Sequence, residues 1–157
     1  MKNEKQIGLF AAFLAANVEF AVVGGVAVNV HGYVRATRDL DVFIRPTESN
    51  AEAAFRALQN IGAPVDGLQA NDLLDDERHF RFGSPEDHID ILASIGDMSF
   101  DEVWVDRVEV EAAGLRVPFI SKAKLMENKR QTGRLRDLVD VEELELLPDE
   151  EDRGGFR

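Results

Sequence analysis

Residues 22–44 read VVGGVAVNVHGYVRATRDLDVFI: an apolar run that stops at Gly24-Gly25, a short helical pattern, then an alternating acidic strand. Val26 to His31 has the length of one to two helical turns, and Gly32 is a natural stop for it. Asp39 and Asp41 alternate with Leu40, Val42 and Ile44. Strand side chains alternate between faces, so both carboxylates share one face and the aliphatics take the other. Neighbouring acids repel unless a cation relieves them. Mg²⁺ suits the task, because it takes hard oxygen ligands at about 2.0–2.1 Å and keeps waters and substrate phosphates as its other ligands. A Gly-Gly turn lets phosphates approach backbone N–H groups at the positive end of the next helix. The stretch therefore holds the parts for binding a metal–nucleoside triphosphate. Arg35 is placed to neutralise phosphate charge, and Thr37 to bond a phosphate or orient Asp39. A plain salt bridge to nearby acids is the competing reading for Arg35, and the stronger one for Arg38.

A third acid follows downstream. Asp90 sits between Ile89 and Ile91, so it faces away from them, and a charge among aliphatics is costly unless paired or metal-bound. As a third carboxylate, Asp90 would ligate the metal and accept the proton of an attacking hydroxyl. Asp87 is the fallback, although it falls in the turn before this strand. His31, within the short helix, reads as structural. His79 and His88 lack metal-ligand spacing and receive no role.

Gly24-Gly25, Asp39-Leu40-Asp41-Val42 and Ile89-Asp90-Ile91 together resemble the three-part signature of the DNA polymerase β-like nucleotidyltransferase superfamily. The fuller pattern, with His31-Gly32 and Arg35-x-Thr37-x-Asp39-x-Asp41, is similar to a compact bacterial branch that includes abortive-infection and toxin–antitoxin toxins. The resemblance covers roughly residues 5–145. It implies a small mixed sheet with the active site along one edge, Mg²⁺ or Mn²⁺ as cofactor, and NTP as substrate. A nucleoside monophosphate would pass to a hydroxyl on RNA (tRNA among the candidates), on a protein or on a small molecule, with release of pyrophosphate. The resemblance to that branch admits a cognate antitoxin among the partners, and the sequence does not decide whether one exists. Gly25 departs from the pattern, since many relatives carry Ser there. In related enzymes a lysine from a helix after the sheet approaches the triphosphate, and here Lys129 is the best match, with Lys122 next. Residues 122–136 hold six basic side chains against one acid, Glu127. Asp137 and Asp140 are expected to pair with Arg134 or Arg136, or to brace the site from behind. Two other functions stay open: a non-catalytic nucleotide-binding regulatory module, and an enzyme that modifies an antibiotic.

The rest of the chain fits one domain over residues 1–147, with an acidic tail at 148–157. Its 157 residues suffice for a core, and 45% hydrophobic with 31% charged residues describes a globular chain. The net charge of −12 argues against broad non-specific nucleic-acid binding. There are no cysteines, which excludes disulfides and thiolate metal sites. No stretch approaches the roughly 20 apolar residues of a membrane span, so a cytoplasmic location is expected. Helices are expected at 3–17 (Ile7, Phe10, Phe13 and Leu14 inward), 47–60 (Ala54, Phe55, Leu58 and Ile61 inward), 98–103, 122–131 and 134–147. Strands are expected at 20–23, 40–45, 79–82, 88–92, 104–111 and 115–119. Residues 65–77 read as a loop with one helical turn. This mixture gives an α/β (α+β) class: a small mixed β-sheet with helices packed mainly on one face.

Overall fold

The acidic strand lies near the middle of the sheet because of what flanks it on both sides. In the computed structural model, which describes residues 3–37 and 39–148, strand β1 (Phe20–Val23) pairs antiparallel with β2 (Leu40–Ile44). On its other side β2 pairs in parallel with β4 (Asp87–Leu92). An edge strand, β3 (Phe80–Ser84), returns against β4 as a hairpin. The hairpin of β5 (Val108–Ala112) and β6 (Leu115–Phe119) joins the far side of β1, giving the order β3-β4-β2-β1-β6-β5. The result is the mixed sheet expected, with six α-helices among the described residues.

Helices α1 (Glu4–Ala15) and α3 (Glu48–Asn60) pack on one another, each opened by a side-chain cap, Asn3 and Thr47. Phe10 and Phe13 of α1 meet Phe20 of β1 at ring-centroid distances of 6.3 and 5.4 Å. The buried face of α1 is Gln6, Leu9, Phe10 and Phe13, so Ile7 and Leu14 lie further from the core than expected. In α3 the small residues Ala51, Ala54 and Ala57 line the contact with Leu58, while Phe55 is half-buried and Ile61 exposed. Alanines let the helix approach closely; Ala54 and Leu58 lie inward as expected, and Ala51 and Ala57, small residues outside the expected stripe, join them. Trp104, expected to begin a strand, instead ends helix α4 (Phe100–Val105), where it stacks on Phe100 at 5.5 Å. Ser99 and Glu102 form a reciprocal cap that sets the α4 start.

Helix α2 (Gly24–Val30) begins at Gly24 itself, so the two glycines form its first turn rather than a turn preceding it. Val23, its N-cap residue, supplies no side-chain cap. His31 is fully buried, with Nε2 2.7 Å from the Ile120 carbonyl oxygen, and ties the end of α2 to the end of β6. Ser121 caps α5 (Lys122–Thr132), Gly133 ends it in the left-handed region at φ 67°, and α6 (Leu135–Glu145) follows. Among the described residues no helix is long and apolar enough to cross a membrane. Arg38 and the acidic tail beyond residue 148 lie outside the described residues.

Candidate active site

Strand register gathers the acids. Asp41 stands opposite Val23 on β1 and beside Asp90 on β4, and Asp90 in turn stands opposite Arg81 on β3. Asp39 lies just before β2 begins, with a half-exposed side chain. Burial pushes the Asp41 carboxyl from 3.8 up to about 6. The Asp90 charge, a hydrogen bond between these two carboxyls and the Asp39 charge add to that rise. Gly24 lies against this acid: at φ +68° it holds a conformation that suits glycine, and a Cβ there would fall 2.2 Å from Asp41 Oδ2. The first motif glycine is thus the residue that leaves room for the second acid of the Asp-x-Asp pair.

Asp90 is not a bare carboxylate. The Arg81 guanidinium donates to both of its oxygens, Nε at 2.7 Å and Nη2 at 3.1 Å, and this hydrogen bonding raises the Arg81 pKa further. His88 stands between the acids, with Nδ1 3.2 Å from Asp39 Oδ1 and Nε2 3.7 Å from Asp90 Oδ2. His79 Nε2 is 3.7 Å from Asp90 Oδ1. The two histidines given no role from the sequence therefore border the acidic cluster. A signal for both missed groups was present. His88-x-Asp90 repeats the spacing of Asp39-x-Asp41, and a tight turn at Pro85-Glu86 puts Arg81 opposite Asp90. The expected five-residue connection at 83–87 concealed that register.

On the other side of the cavity, cations and acids are already matched. Arg35 donates through Nε and Nη2 to the two oxygens of Asp140, each at 2.9 Å. Lys129 Nζ lies 2.9 Å from Asp137 Oδ1 and 3.0 Å from Asp140 Oδ2. Thr132 donates to Asp137 at 2.6 Å, and Arg134 Nε lies 3.2 Å from the same carboxylate. Burial alone would raise the Asp137 pKa, but the Thr132 and Lys129 hydrogen bonds and the nearby cations hold it below its ordinary value. Asp140 is 1% exposed and Lys129 6%, so the network is internal. Asp137 and Asp140 thus take Lys129 and Arg35 as partners, and only Arg134 of the two expected arginines joins. Arg35 adopts the salt bridge that was its competing reading. Lys122, the second lysine candidate, is turned to the C-terminal end of α6, where its Nζ donates to Leu147 O at 2.9 Å.

Gly24, Gly25, Arg35, Thr37, Asp39, Asp41, Asp90 and Lys129 line one cavity of about 460 Å³, whereas the fallback Asp87 and the second lysine Lys122 do not. Arg134 and Arg136 line it as well. Among the described residues no group of three or more His, Asp or Glu is disposed to hold a metal ion by itself. The donor chemistry nevertheless fits Mg²⁺: Asp39 and Asp41 offer hard oxygens, and Asp41 is buried beside Asp90 and near Asp39, where a cation would relieve the gathered charge. One or two carboxylates completed by substrate phosphates is the usual protein share of such a site. Asp90 would add a third carboxylate, although Arg81 already engages both of its oxygens.

No protein-family model matches the chain, and comparison with curated protein sequences gives no match. Its structure is similar to the lincosamide antibiotic adenylyltransferase LnuA in its lincomycin-bound form, with TM-score 0.57 at 15% identity over 94% of this chain and 99% of that one. It is similar to a Thermotoga maritima protein assigned as a nucleotidyltransferase, with TM-score 0.57 at 16% identity over 89% of each chain. It is also similar to ANT(2″)-Ia bound to adenylyl-2″-tobramycin, with TM-score 0.55 at 10% identity over 90% of this chain and 86% of that one. At such identities the likeness speaks for architecture, and on that architecture the chain has the nucleotidyltransferase fold.

Proposed function

We propose that this chain is a metal-dependent nucleotidyltransferase that moves a nucleoside monophosphate from an NTP to a hydroxyl acceptor and releases pyrophosphate. The observation that carries the reading is the convergence of Gly24-Gly25, Thr37 and three acids from separate segments on one cavity. Asp39 and Asp41 would hold Mg²⁺ or Mn²⁺, which would offset phosphate charge and polarise the reacting phosphoryl group. The Gly24-Gly25 backbone receives the polyphosphate closely, because neither residue carries a side chain to block it. Lys129, Arg134 and Arg136 supply positive charge from the opposite wall. The acceptor oxygen forms a bond to the α-phosphorus while the bond to the β-phosphate oxygen breaks, and pyrophosphate leaves with that electron pair. Asp90, once Arg81 has moved off, takes the acceptor proton.

The test is incubation of the protein with each NTP labelled at the α-phosphate, with Mg²⁺ or Mn²⁺, and with tRNA, cell extract, an aminoglycoside or a lincosamide as acceptor. Label in any acceptor with stoichiometric pyrophosphate supports the reading and names the acceptor class. Calorimetric NTP binding without pyrophosphate release from any mixture favours the non-catalytic module instead. The antibiotic reading draws on LnuA, bound to lincomycin, and ANT(2″)-Ia, bound to adenylyl-2″-tobramycin, whose lengths this chain nearly spans. The toxin-like reading draws on the Arg35-x-Thr37-x-Asp39-x-Asp41 pattern. It expects growth arrest on expression in cells, lost in Asp41→Asn and relieved by an antitoxin.

A further inference from the structure

Position 25 has no room for the side chain that many relatives carry there. A Cβ on Gly25 would fall 2.6 Å from Thr37 Oγ1 and 3.1 Å from Thr37 Cβ, with Arg35 Nη2 3.5 Å away. Contacts under about 3 Å do not occur at real Cβ atoms, so either Thr37 moves or position 25 stays glycine. Unlike Gly24, Gly25 does not have a positive φ, so backbone conformation does not explain the residue. The neighbour explains it. Thr37 Oγ1 occupies the place where a residue-25 side chain would begin, and it lines the same cavity as Gly24, Asp41 and Lys129. No hydrogen bond within the described residues engages this hydroxyl, whereas Arg35 and Lys129, the nearby cations, are already paired with Asp140 and Asp137.

We infer that the Thr37 hydroxyl replaces a residue-25 hydroxyl as the neutral donor to the polyphosphate of the nucleotide, and that its presence is what makes residue 25 glycine. The inference rests on the nucleotidyl-transfer reading and deepens it by naming a binding residue. A donor arriving from the loop before β2 also links phosphate binding to the metal-facing acid two residues on, Asp39. The hydroxyl is supplied from the other side of the cavity wall, so the two positions are exchangeable in principle: either one can carry it, but not both.

That exchange is the test. Wild-type protein and five variants, Thr37→Ala, Thr37→Ser, Gly25→Ser, Gly25→Ser/Thr37→Ala and Gly25→Ala/Thr37→Ala, are titrated calorimetrically with each of the four NTPs plus Mg²⁺ and with inorganic pyrophosphate. Melting temperatures check folding. Loss of a hydrogen bond to a charged oxygen weakens binding roughly tenfold to a hundredfold, which is the expectation for Thr37→Ala. Thr37→Ser should stay close to wild type. Gly25→Ser alone should bind worse than wild type, because it forces Thr37 aside. Gly25→Ser/Thr37→Ala should bind better than either single variant, while Gly25→Ala/Thr37→Ala, which has the space but no hydroxyl, should remain weak. Wild-type affinity in a folded Thr37→Ala, or equal weakness of the two double variants, overturns the inference and leaves the function standing. A wild-type chain that binds neither NTP nor pyrophosphate overturns both.

Discussion

At the scale of single residues, the acidic cluster trades stability for a site. Asp41 is the acid that bears the cost, since burial and then Asp90 and Asp39 raise its pKa from 3.8 to about 6. Between those values the folded chain binds more protons than the unfolded chain, so stability of the ligand-free protein falls as pH rises through that window and levels off above it. The whole penalty is up to about 3 kcal/mol at neutral pH. Asp41→Asn keeps the volume and removes the charge. On the proposed function it should abolish pyrophosphate release with Mg²⁺ present, because the carboxylate proposed to hold the metal loses its charge. In urea unfolding at pH 4 and pH 7, the variant should gain on wild type at the higher pH. A wild-type-minus-variant difference that does not change with pH would show that Asp41 is not held buried beside the other acids in solution.

At the scale of elements, α6 is tied to the loop before β2 by Arg35 and Asp140, and to α5 by Lys129 with Asp137 and Asp140. Asp140 is the hub, since it receives both oxygens' worth of Arg35 and also Lys129 while 1% exposed. Asp140→Ala leaves two cations short of a partner and should cost about 3–5 kcal/mol in denaturant unfolding. Lys124→Ala, which removes a surface pair to Asp106 at 3.7 Å, should cost no more than about 1 kcal/mol. The contrast bears on how Lys129 is tested. Lys129→Ala removes a partner of two buried acids as well as a cavity cation, so its expected effect on NTP affinity must be read beside its melting temperature. Lys124→Ala, outside the cavity, should leave NTP affinity unchanged.

At the scale of the whole molecule, a cavity lined by a surplus of acids on one wall and by cations on the other should be stabilised by the ligand that completes it. Mg²⁺ with the preferred NTP at about 100 times Kd should add roughly 2.7 kcal/mol of stability by mass action, seen as a rise in melting temperature. Neither Mg²⁺ nor any NTP moving the melting curve would mean that the cavity binds no nucleotide. The amino-acid sequence by itself determined most of the strand and helix pattern, the mixed-sheet class and eight residues that line the cavity. Gly-Gly after an apolar run, Asp-x-Asp in a strand and Asp90 between isoleucines are local patterns, and local patterns are set by side-chain periodicity and turn chemistry. Only the tertiary structure decided which charges meet. Arg81 reaches Asp90 through hairpin register, Arg35 reaches Asp140 from 105 positions away, and Thr37 closes the space beside Gly25. Ion pairs and steric exclusions of this kind depend on distance in space, which periodicity along the chain does not encode.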